Sequence, residues 1–291
     1  MSGGLIGFWR QDLGDRLEAG ASRTELYSPS GALWLTRWAW VCLIVALTLC
    51  LAGGYHAGFI QVNSAAAAYP DWVWEWLTVL GDERVSFALA LLFALRYPRV
   101  FWALILSAVV AIAYSRGLKT LLDATRPPGV LAAEAFNLIG PGHRRASFPS
   151  GHSVTAAVFF GVLIYHTPRS GLRALFLLLA VLVGLSRVAV GVHWPVDVAA
   201  GLLGGAIAAW IGARLAAHWA GPATELSVHL AFVTLGSILA IALVYNDGGY
   251  HSAARPLAIL GAAALVVVLT QYLLLPTRRY WRSRPTPEPR D

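Results

Sequence analysis

The sequence predicts an all-α fold: a polytopic membrane bundle of about eight transmembrane helices. Two observations support this prediction. Of the 291 residues, 57% are apolar and only 13% are charged, which lies outside the composition of soluble domains. Apolar runs also recur along the chain at about the 20-residue length that crosses a bilayer. Because no polar block between them is large enough to fold separately, we expect one integral membrane domain.

Six of the apolar runs are long enough to span a membrane. They lie at about 38–59, 100–122, 172–190, 196–217, 228–245 and 256–275. Two shorter runs, at about 85–96 and 152–167, are marginal by length, and buried or re-entrant helices are the alternative. We count both as spans because most arginines between the runs then lie on one side, which the positive-inside rule identifies as the cytoplasm.

This topology divides the chain into four segments. They are a cytoplasmic N-terminal segment (1–37), a membrane-embedded core (38–217), two additional transmembrane helices (218–275) and a cytoplasmic tail (276–291) whose proline and arginine content predicts disorder. No removable signal peptide is evident at the start. Both termini are therefore expected in the cytoplasm, with the chain in a bacterial-type inner membrane. The net charge of +7 comes almost wholly from arginines in short loops and tails, so topology explains it better than nucleic-acid binding.

A group of basic residues does not follow this distribution. Lys119, Arg126, Arg144, Arg145 and Arg187 accumulate on the face that should be poor in positive charge. Ionisable groups at membrane depth are costly and are usually functional. We therefore expect a site for an anionic substrate at this outer, extracytoplasmic face.

Three short sequence blocks surround these cations. The first, 119–127, reads KTLLDATRP; the second, 149–152, reads PSGH; the third, 186–197, reads SRVAVGVHWPVD. Their residues and spacing resemble the three signatures of the type 2 phosphatidic acid phosphatase superfamily, which also includes soluble bacterial acid phosphatases and vanadium haloperoxidases. The resemblance covers about residues 85–217. It implies a six-helix phosphatase core, in which the last two predicted spans have no counterpart.

The resemblance also implies a covalent mechanism shared by three residues. His193 would attack phosphorus, Asp197 would hold the other ring nitrogen of that histidine, and His152 would protonate the leaving group. No cluster of carboxylate or Cys/His ligands accompanies these residues in the sequence. We therefore expect neither a metal nor another cofactor.

A phosphate ester needs positive charge and hydrogen-bond donors around its oxygens. Lys119, Arg126 and Arg187 supply three charges, and a guanidinium fork suits two oxygens at once. If Ser150 and Gly151 open a helix, their free N–H groups would point at the phosphate as well.

Arg144 and Arg145 belong to the loop before the second block. One interpretation is that they bind a second phosphate or a headgroup. A solvated basic loop near anionic lipid is an equal alternative.

Together these features predict a metal-independent lipid phosphatase. Polyprenyl (undecaprenyl) diphosphate is the first choice of substrate, because the positive cluster exceeds the need of one monoester; phosphatidic acid or phosphatidylglycerophosphate comes next. The alternatives are a lipid phosphotransferase or lipid A phosphatase with the same site, and a non-enzymatic flippase or scaffold. Membrane embedding argues against a haloperoxidase. The expected partners are the lipid substrate and the surrounding membrane lipids, without nucleic acid, and the oligomeric state is not predicted.

Overall fold

The computed structural model describes residues 4–284, and all of its regular structure in that range is helical. The helices are α1 (Leu5–Ala21), α2 (Pro29–Gly53), α3 (Phe59–Ala66), α4 (Asp71–Val79), α5 (Glu83–Leu91), α6 (Pro98–Leu122), α7 (Pro127–Val130), α8 (Gly151–His166), α9 (Ser170–Ala189), α10 (Pro195–His218), α11 (Leu226–Tyr245), α12 (Ala254–Val268) and α13 (Leu275–Arg282). A π-helical segment, Leu269–Leu274, joins α12 to α13. The all-α prediction is thus confirmed.

Six helical segments are long and apolar enough to cross a membrane. They are Pro29–Gly53, Pro98–Val130, Ser170–Ala189, Pro195–His218, Leu226–Tyr245 and His251–Arg282, and they correspond to the six long apolar runs. The two marginal runs form shorter helices, of 16 residues in α8 and nine residues in α5. Nine residues give about 13 Å of helix, less than half the hydrocarbon thickness. The expected count of eight spanning helices is therefore not confirmed.

Helix α10 lies at the centre of the bundle, packed against α2, α6 and α8. Small residues on its surface allow this close packing, as the sequence spacing of Gly201 and Gly205 predicts. A Cβ on Gly205 would lie 2.5 Å from the Cβ of Ala157, and one on Gly201 would lie 2.7 Å from the carbonyl oxygen of Ser150. The first turn of α8 is thereby held against the first turns of α10.

The C-terminal ends of α6 and α9 meet the N-terminal ends of α8 and α10 at one end of the bundle. The buried side chain of Asn63, on α3, ties this end together. Its amide nitrogen donates to the carbonyl oxygens of Val188, Ala189 and Asn137 at 3.1, 3.0 and 2.9 Å. Its carbonyl oxygen accepts from the N–H of Asn137 at 2.8 Å. One side chain thus joins α3, the end of α9 and the long loop between α7 and α8.

Both terminal segments contain helix. The N-terminal segment contains α1, which packs against α13; the indole N–H of Trp9 donates to the carbonyl oxygen of Tyr272 at 2.5 Å, and Arg279 contacts Asp12 at 2.8 Å. The predicted disorder from residue 276 onwards is wrong for residues 276–282, because α13 is helical as far as Arg282. The rest of the predicted disordered tail, residues 285–291, lies outside the described residues.

Candidate active site

His193 lies in the short loop between α9 and α10, and only 1% of its surface is exposed. Its Nδ1 atom is 3.3 Å from Oδ2 of Asp197, one helical turn further along the chain. Its backbone N–H donates to the carbonyl oxygen of Arg187 at 3.2 Å. Because Nδ1 faces the carboxylate, Nε2 is the ring nitrogen that is left for chemistry.

The carboxylate of Asp197 is completely buried and is held by several donors. Its Oδ2 atom accepts from the hydroxyl of Ser147 at 2.5 Å and from the backbone N–H of Trp194 at 2.9 Å. Its Oδ1 atom accepts from the hydroxyl of Tyr55. Three donors and one imidazole therefore fix the orientation of this carboxylate.

The surroundings of His193 favour a neutral ring. Burial is the largest cause that lowers the pKa of His193 well below its ordinary value, and the positive charges of Arg126, Arg187 and Lys119 lower it further. A histidine with an unprotonated Nε2 is the form that can act as a nucleophile.

Arg126 has the extended backbone that the following proline predicts, with φ −82° and ψ 163°. The loop between α7 and α8 supplies its partners through carbonyl oxygens. The backbone N–H of Arg126 donates to Arg144 at 3.0 Å, and its Nε and Nη2 atoms donate to Arg145 and Ala146 at 2.8 and 3.3 Å. Arg144 and Arg145 thus contact the site through their backbones, while their side chains are exposed.

Arg187, in the last turn of α9, is buried and partly unpaired. Its Nη1 atom donates to the hydroxyl groups of Thr78 and, at 3.0 Å, Tyr250. Its buried Nε atom has no hydrogen-bond partner among the described residues. The Nε–Nη2 edge of the guanidinium, which can bind two oxygens in parallel, is therefore available to a ligand.

The second block forms the start of α8. Ser150 is the N-cap residue, and its Oγ atom accepts from the N–H of Ser153 at 3.4 Å. The backbone N–H of Ser150 donates to the carbonyl oxygen of Asp197 at 3.0 Å. The prediction that this N–H faces a phosphate is therefore wrong, because packing of α8 on α10 occupies it. A Cβ on Gly151 would lie 3.6 Å from Nζ of Lys119, so the helix start and the lysine are close neighbours.

His152 is the second residue of α8, and the turn between α4 and α5 packs directly onto it. A Cβ on Gly81 would lie 2.8 Å from both the Cβ and the carbonyl oxygen of His152. Only glycine permits such an approach.

One cavity of about 500 Å³ contains most of these groups. Its polar lining residues include Lys119, Arg126, His143, Gly151, His152, Arg187 and His193. Much of the remaining lining is apolar and comes from α5, α6 and α8. Arg144 and Arg145 do not line it; Arg145 instead lies 3.9 Å from Asp123, an exposed pair.

Comparisons with known proteins identify the family. The model of the PAP2 superfamily matches residues 99–220. The chain is 31% identical over 191 residues to an undecaprenyl-diphosphatase of Sulfolobus acidocaldarius, covering 59% of this chain and 86% of that protein. This chain belongs to the PAP2 superfamily.

Two further proteins are similar to shorter parts of this chain. A lipid A 1-phosphatase of Rhizobium johnstonii is 48% identical over 60 residues, which cover 21% of this chain and 24% of that protein. The crystal structure of LpxE from Aquifex aeolicus superposes with a TM-score of 0.49 at 31% identity, over 53% of this chain and 91% of that one. The PAP2 model and the Sulfolobus relative confirm the family resemblance of the three blocks, and family membership together with the phosphatase relatives identifies the chain as a phosphoric-ester hydrolase.

All three blocks lie inside the part of the chain that the PAP2 model matches, but several side chains around the site do not. Tyr55, Thr78 and Tyr250 lie outside residues 99–220 and were not predicted. Ser147, which was also missed, lies inside that range, two residues before the second block. No local pattern marks any of the four, because each acts across the bundle on a residue far away in the sequence.

Proposed function

We propose that this PAP2 enzyme removes phosphate from a lipid phosphate or diphosphate through a phosphohistidine intermediate. One observation carries the proposal: a single cavity joins the cationic site to a long apolar wall. Such a cavity fits an amphiphile whose anionic head reaches the site while its tail lies along the helices.

The extent of the apolar wall supports a lipid rather than a small soluble ester. Along α6 the lining runs from Phe101 to Lys119, about 27 Å of helix and nearly the hydrocarbon thickness. Ile112, one of these lining residues, is 55% exposed on a helix that is apolar enough to span a membrane. The cavity therefore reaches a surface from which a lipid tail can enter.

The covalent step uses the two histidines. Nε2 of His193 attacks phosphorus, the bond from phosphorus to the leaving oxygen breaks, and His152 supplies the proton that this oxygen takes up. The ring of His193 becomes positively charged in this step. Asp197 stabilises that charge across the 3.3 Å contact with Nδ1.

Hydrolysis of the intermediate completes the cycle. Water attacks phosphorus, the bond from phosphorus to Nε2 breaks, and His152 accepts the proton of the water. Lys119, Arg126 and Arg187 would bind the non-bridging oxygens through both steps, together with the N–H of Gly151. No step in this scheme requires a metal ion.

A polyprenyl diphosphate is the substrate that we place first. The Sulfolobus relative, an undecaprenyl-diphosphatase, covers the longest part of this chain among the relatives described above. Four cationic side chains line the cavity, which is more positive charge than a monoester needs; they are Arg116, Lys119, Arg126 and Arg187. Arg144 and Arg145 remain candidates for a second phosphate at the exposed rim.

Lipid A 1-phosphate is the second candidate substrate. It is favoured by the 48% identity to the Rhizobium lipid A 1-phosphatase, although that similarity covers only 60 residues. Phosphatidic acid and phosphatidylglycerophosphate follow, since they have the same amphiphilic shape.

We further propose that the site faces the periplasmic side of the inner membrane and that both termini are cytoplasmic. The arginine distribution supports this orientation. Basic residues at the end of the bundle opposite the site include Arg96, Arg99, Arg169 and Arg173, and Arg99 and Arg173 bind the carbonyl oxygens of Thr24 and Thr167 there.

The test is phosphate release by the detergent-purified protein in the presence of EDTA. The substrates are polyprenyl diphosphate, lipid A 1-phosphate, phosphatidic acid and phosphatidylglycerophosphate. We expect release that survives EDTA, is fastest with the diphosphate and is lost in His193→Ala. The matched control is His218→Ala, an exposed histidine at the other end of α10. Release that persists in His193→Ala, or none from any lipid with the wild type, would refute the proposal.

A further inference from the structure

The hairpin formed by α11 and α12 lies beyond the part of the chain that the PAP2 model matches, yet its tip reaches the candidate site. The tip comprises residues 246–250. Its last residue, Tyr250, is only 5% exposed. The hydroxyl of Tyr250 lies 3.0 Å from Nη1 of Arg187. A residue outside the family core thus contacts a guanidinium inside it.

The tip has a defined conformation. The side-chain oxygens of Asn246 and Asp247 accept from the N–H groups of Gly248 and Gly249, each at 2.8 Å. Both glycines have positive φ, 69° and 85°, which other residues rarely adopt. The backbone that precedes Tyr250 is therefore fixed by its own turn.

Contacts with α4 and α5 hold the tip and the turn that follows it, residues 251–253, beside the site. Arg84 of α5 donates to the carbonyl oxygen of Asn246 at 3.1 Å, and Trp76 of α4 donates to that of Ser252 at 3.1 Å. The N–H of Ser252 donates to the carboxylate of Glu75 at 2.8 Å. These contacts make the hairpin tip part of the wall around Arg187.

The ring of Tyr250 also packs closely against a neighbouring loop. It lies against Gly140 in the loop between α7 and α8, where a Cβ would come within 2.6 Å of the ring carbon Cε1. The hydroxyl is thus directed at Arg187 by packing as well as by the turn.

The two hydroxyl partners of Arg187 act on the same nitrogen. Thr78 and Tyr250 both accept from Nη1, while Nε has no partner among the described residues. Holding Nη1 fixes the plane of the guanidinium and leaves the Nε–Nη2 edge for two phosphate oxygens. A planar fork binds well only if its plane is correctly oriented.

We infer that Tyr250 is a positioning residue that orients Arg187 for the substrate phosphate, so that the C-terminal hairpin completes the phosphate site. The inference rests on the proposed function in one respect: Arg187 must bind the phosphate. Tyr250 itself touches neither the substrate nor the reacting atoms.

The test compares Tyr250→Phe with Tyr245→Phe, a control at the end of α11 whose side chain is 84% exposed. Inorganic phosphate is the probe, and its Kd is measured from its effect on the thermal unfolding of the purified full-length protein. We expect Tyr250→Phe to weaken phosphate binding roughly tenfold, the value of one hydrogen bond to a charged group. Turnover of the lipid should show the loss mainly in KM. Tyr245→Phe should stay within about twofold of the wild type in both measurements.

A second pair of variants separates positioning from general damage. In an Arg187→Lys background, Tyr250→Phe should cause no further loss of phosphate affinity, because the fork that it orients is gone. An unchanged Kd in Tyr250→Phe, the same tenfold loss in the lysine background, or no phosphate binding by the wild type would each overturn the inference. If the wild type hydrolyses no lipid while phosphate affinity follows the expected pattern, the proposed function fails and the role of Tyr250 stands.

Discussion

The two sides of the candidate site differ in how completely the fold satisfies their polar groups. On the side of His193, the proposed nucleophile, the carboxylate of Asp197 contacts Ser147, Trp194, Tyr55 and the His193 ring. On the proposed phosphate side, Arg187 is almost as deeply buried, but its Nε atom has no partner among the described residues. An unpaired buried donor costs about 1–3 kcal/mol. The fold thus fixes His193, the proposed nucleophile, by itself and leaves the proposed phosphate side to be completed by a ligand.

Among the variants considered, replacing Asp197 by Asn should lower kcat the most. The amide would place an NH₂ group among three donors that now point at a carboxylate, and it would no longer stabilise a positively charged His193. We expect kcat to fall at least about 10³-fold, because neutralising the carboxylate that orients the histidine of a Ser-His-Asp triad causes a loss of at least that size. Steady-state phosphate release measures it.

Asp71→Asn is the control for this change, because Asp71 is exposed at the start of α4. A loss of less than about tenfold in Asp197→Asn would show that the carboxylate does not orient the nucleophile.

Tyr55→Phe should have an intermediate effect on kcat, and it tests whether the two sides of the site affect different kinetic constants. It removes one donor from Asp197 and leaves Ser147 and Trp194 in place, so we expect kcat to fall roughly tenfold with KM within about twofold. Tyr250→Phe removes a hydroxyl from the phosphate side and should mainly raise KM. Kinetic constants for the two phenylalanine variants, measured on the same lipid, separate these effects.

Tyr69→Phe serves as the control, since Tyr69 is 60% exposed in the loop between α3 and α4. If both Tyr55→Phe and Tyr250→Phe changed the same kinetic constant, the division of the site into two sides would be wrong.

The sequence predicted those features that depend on local composition or on short spacing. Long apolar runs predicted the six long helices, and Pro127 predicted the extended backbone at Arg126. The blocks placed His152, Lys119 and His193 around one cavity, which the structure also does.

Features that depend on packing could not be predicted. The length of α5 and the continuation of α13 to Arg282 are set by neighbouring helices. The N–H of Ser150 is taken by a carbonyl 47 residues later, and Tyr55 reaches Asp197 across 142 residues. Contacts of this kind leave no periodic or motif signal in one sequence.

The smallest expected effect is the change in kcat/KM on replacing His143, which lines the cavity on the proposed phosphate side. Burial, followed by the charges of Arg126, Arg187 and Lys119, holds the pKa of His143 below its ordinary value of about 6.5. At pH 7 the ring is therefore neutral, and it gains a positive charge only as the pH falls below that value. The added charge should attract an anionic substrate, so the ratio of kcat/KM between the wild type and His143→Gln should rise roughly threefold at acid pH.

Using this ratio cancels the ionisation of the substrate itself, which is the same for both proteins. The double variant Arg144→Ala, Arg145→Ala is the matched control, because guanidinium groups stay charged at every pH tested and its ratio to the wild type should be independent of pH. If these exposed arginines bind a second phosphate, that constant ratio should be larger for a lipid diphosphate than for the monophosphate. If the ratio for His143→Gln did not change with pH, His143 would have no effect on binding of the anionic substrate. If the ratio for the arginine double variant were equal for both lipids, Arg144 and Arg145 would bind no second phosphate and would be only solvated side chains at the rim.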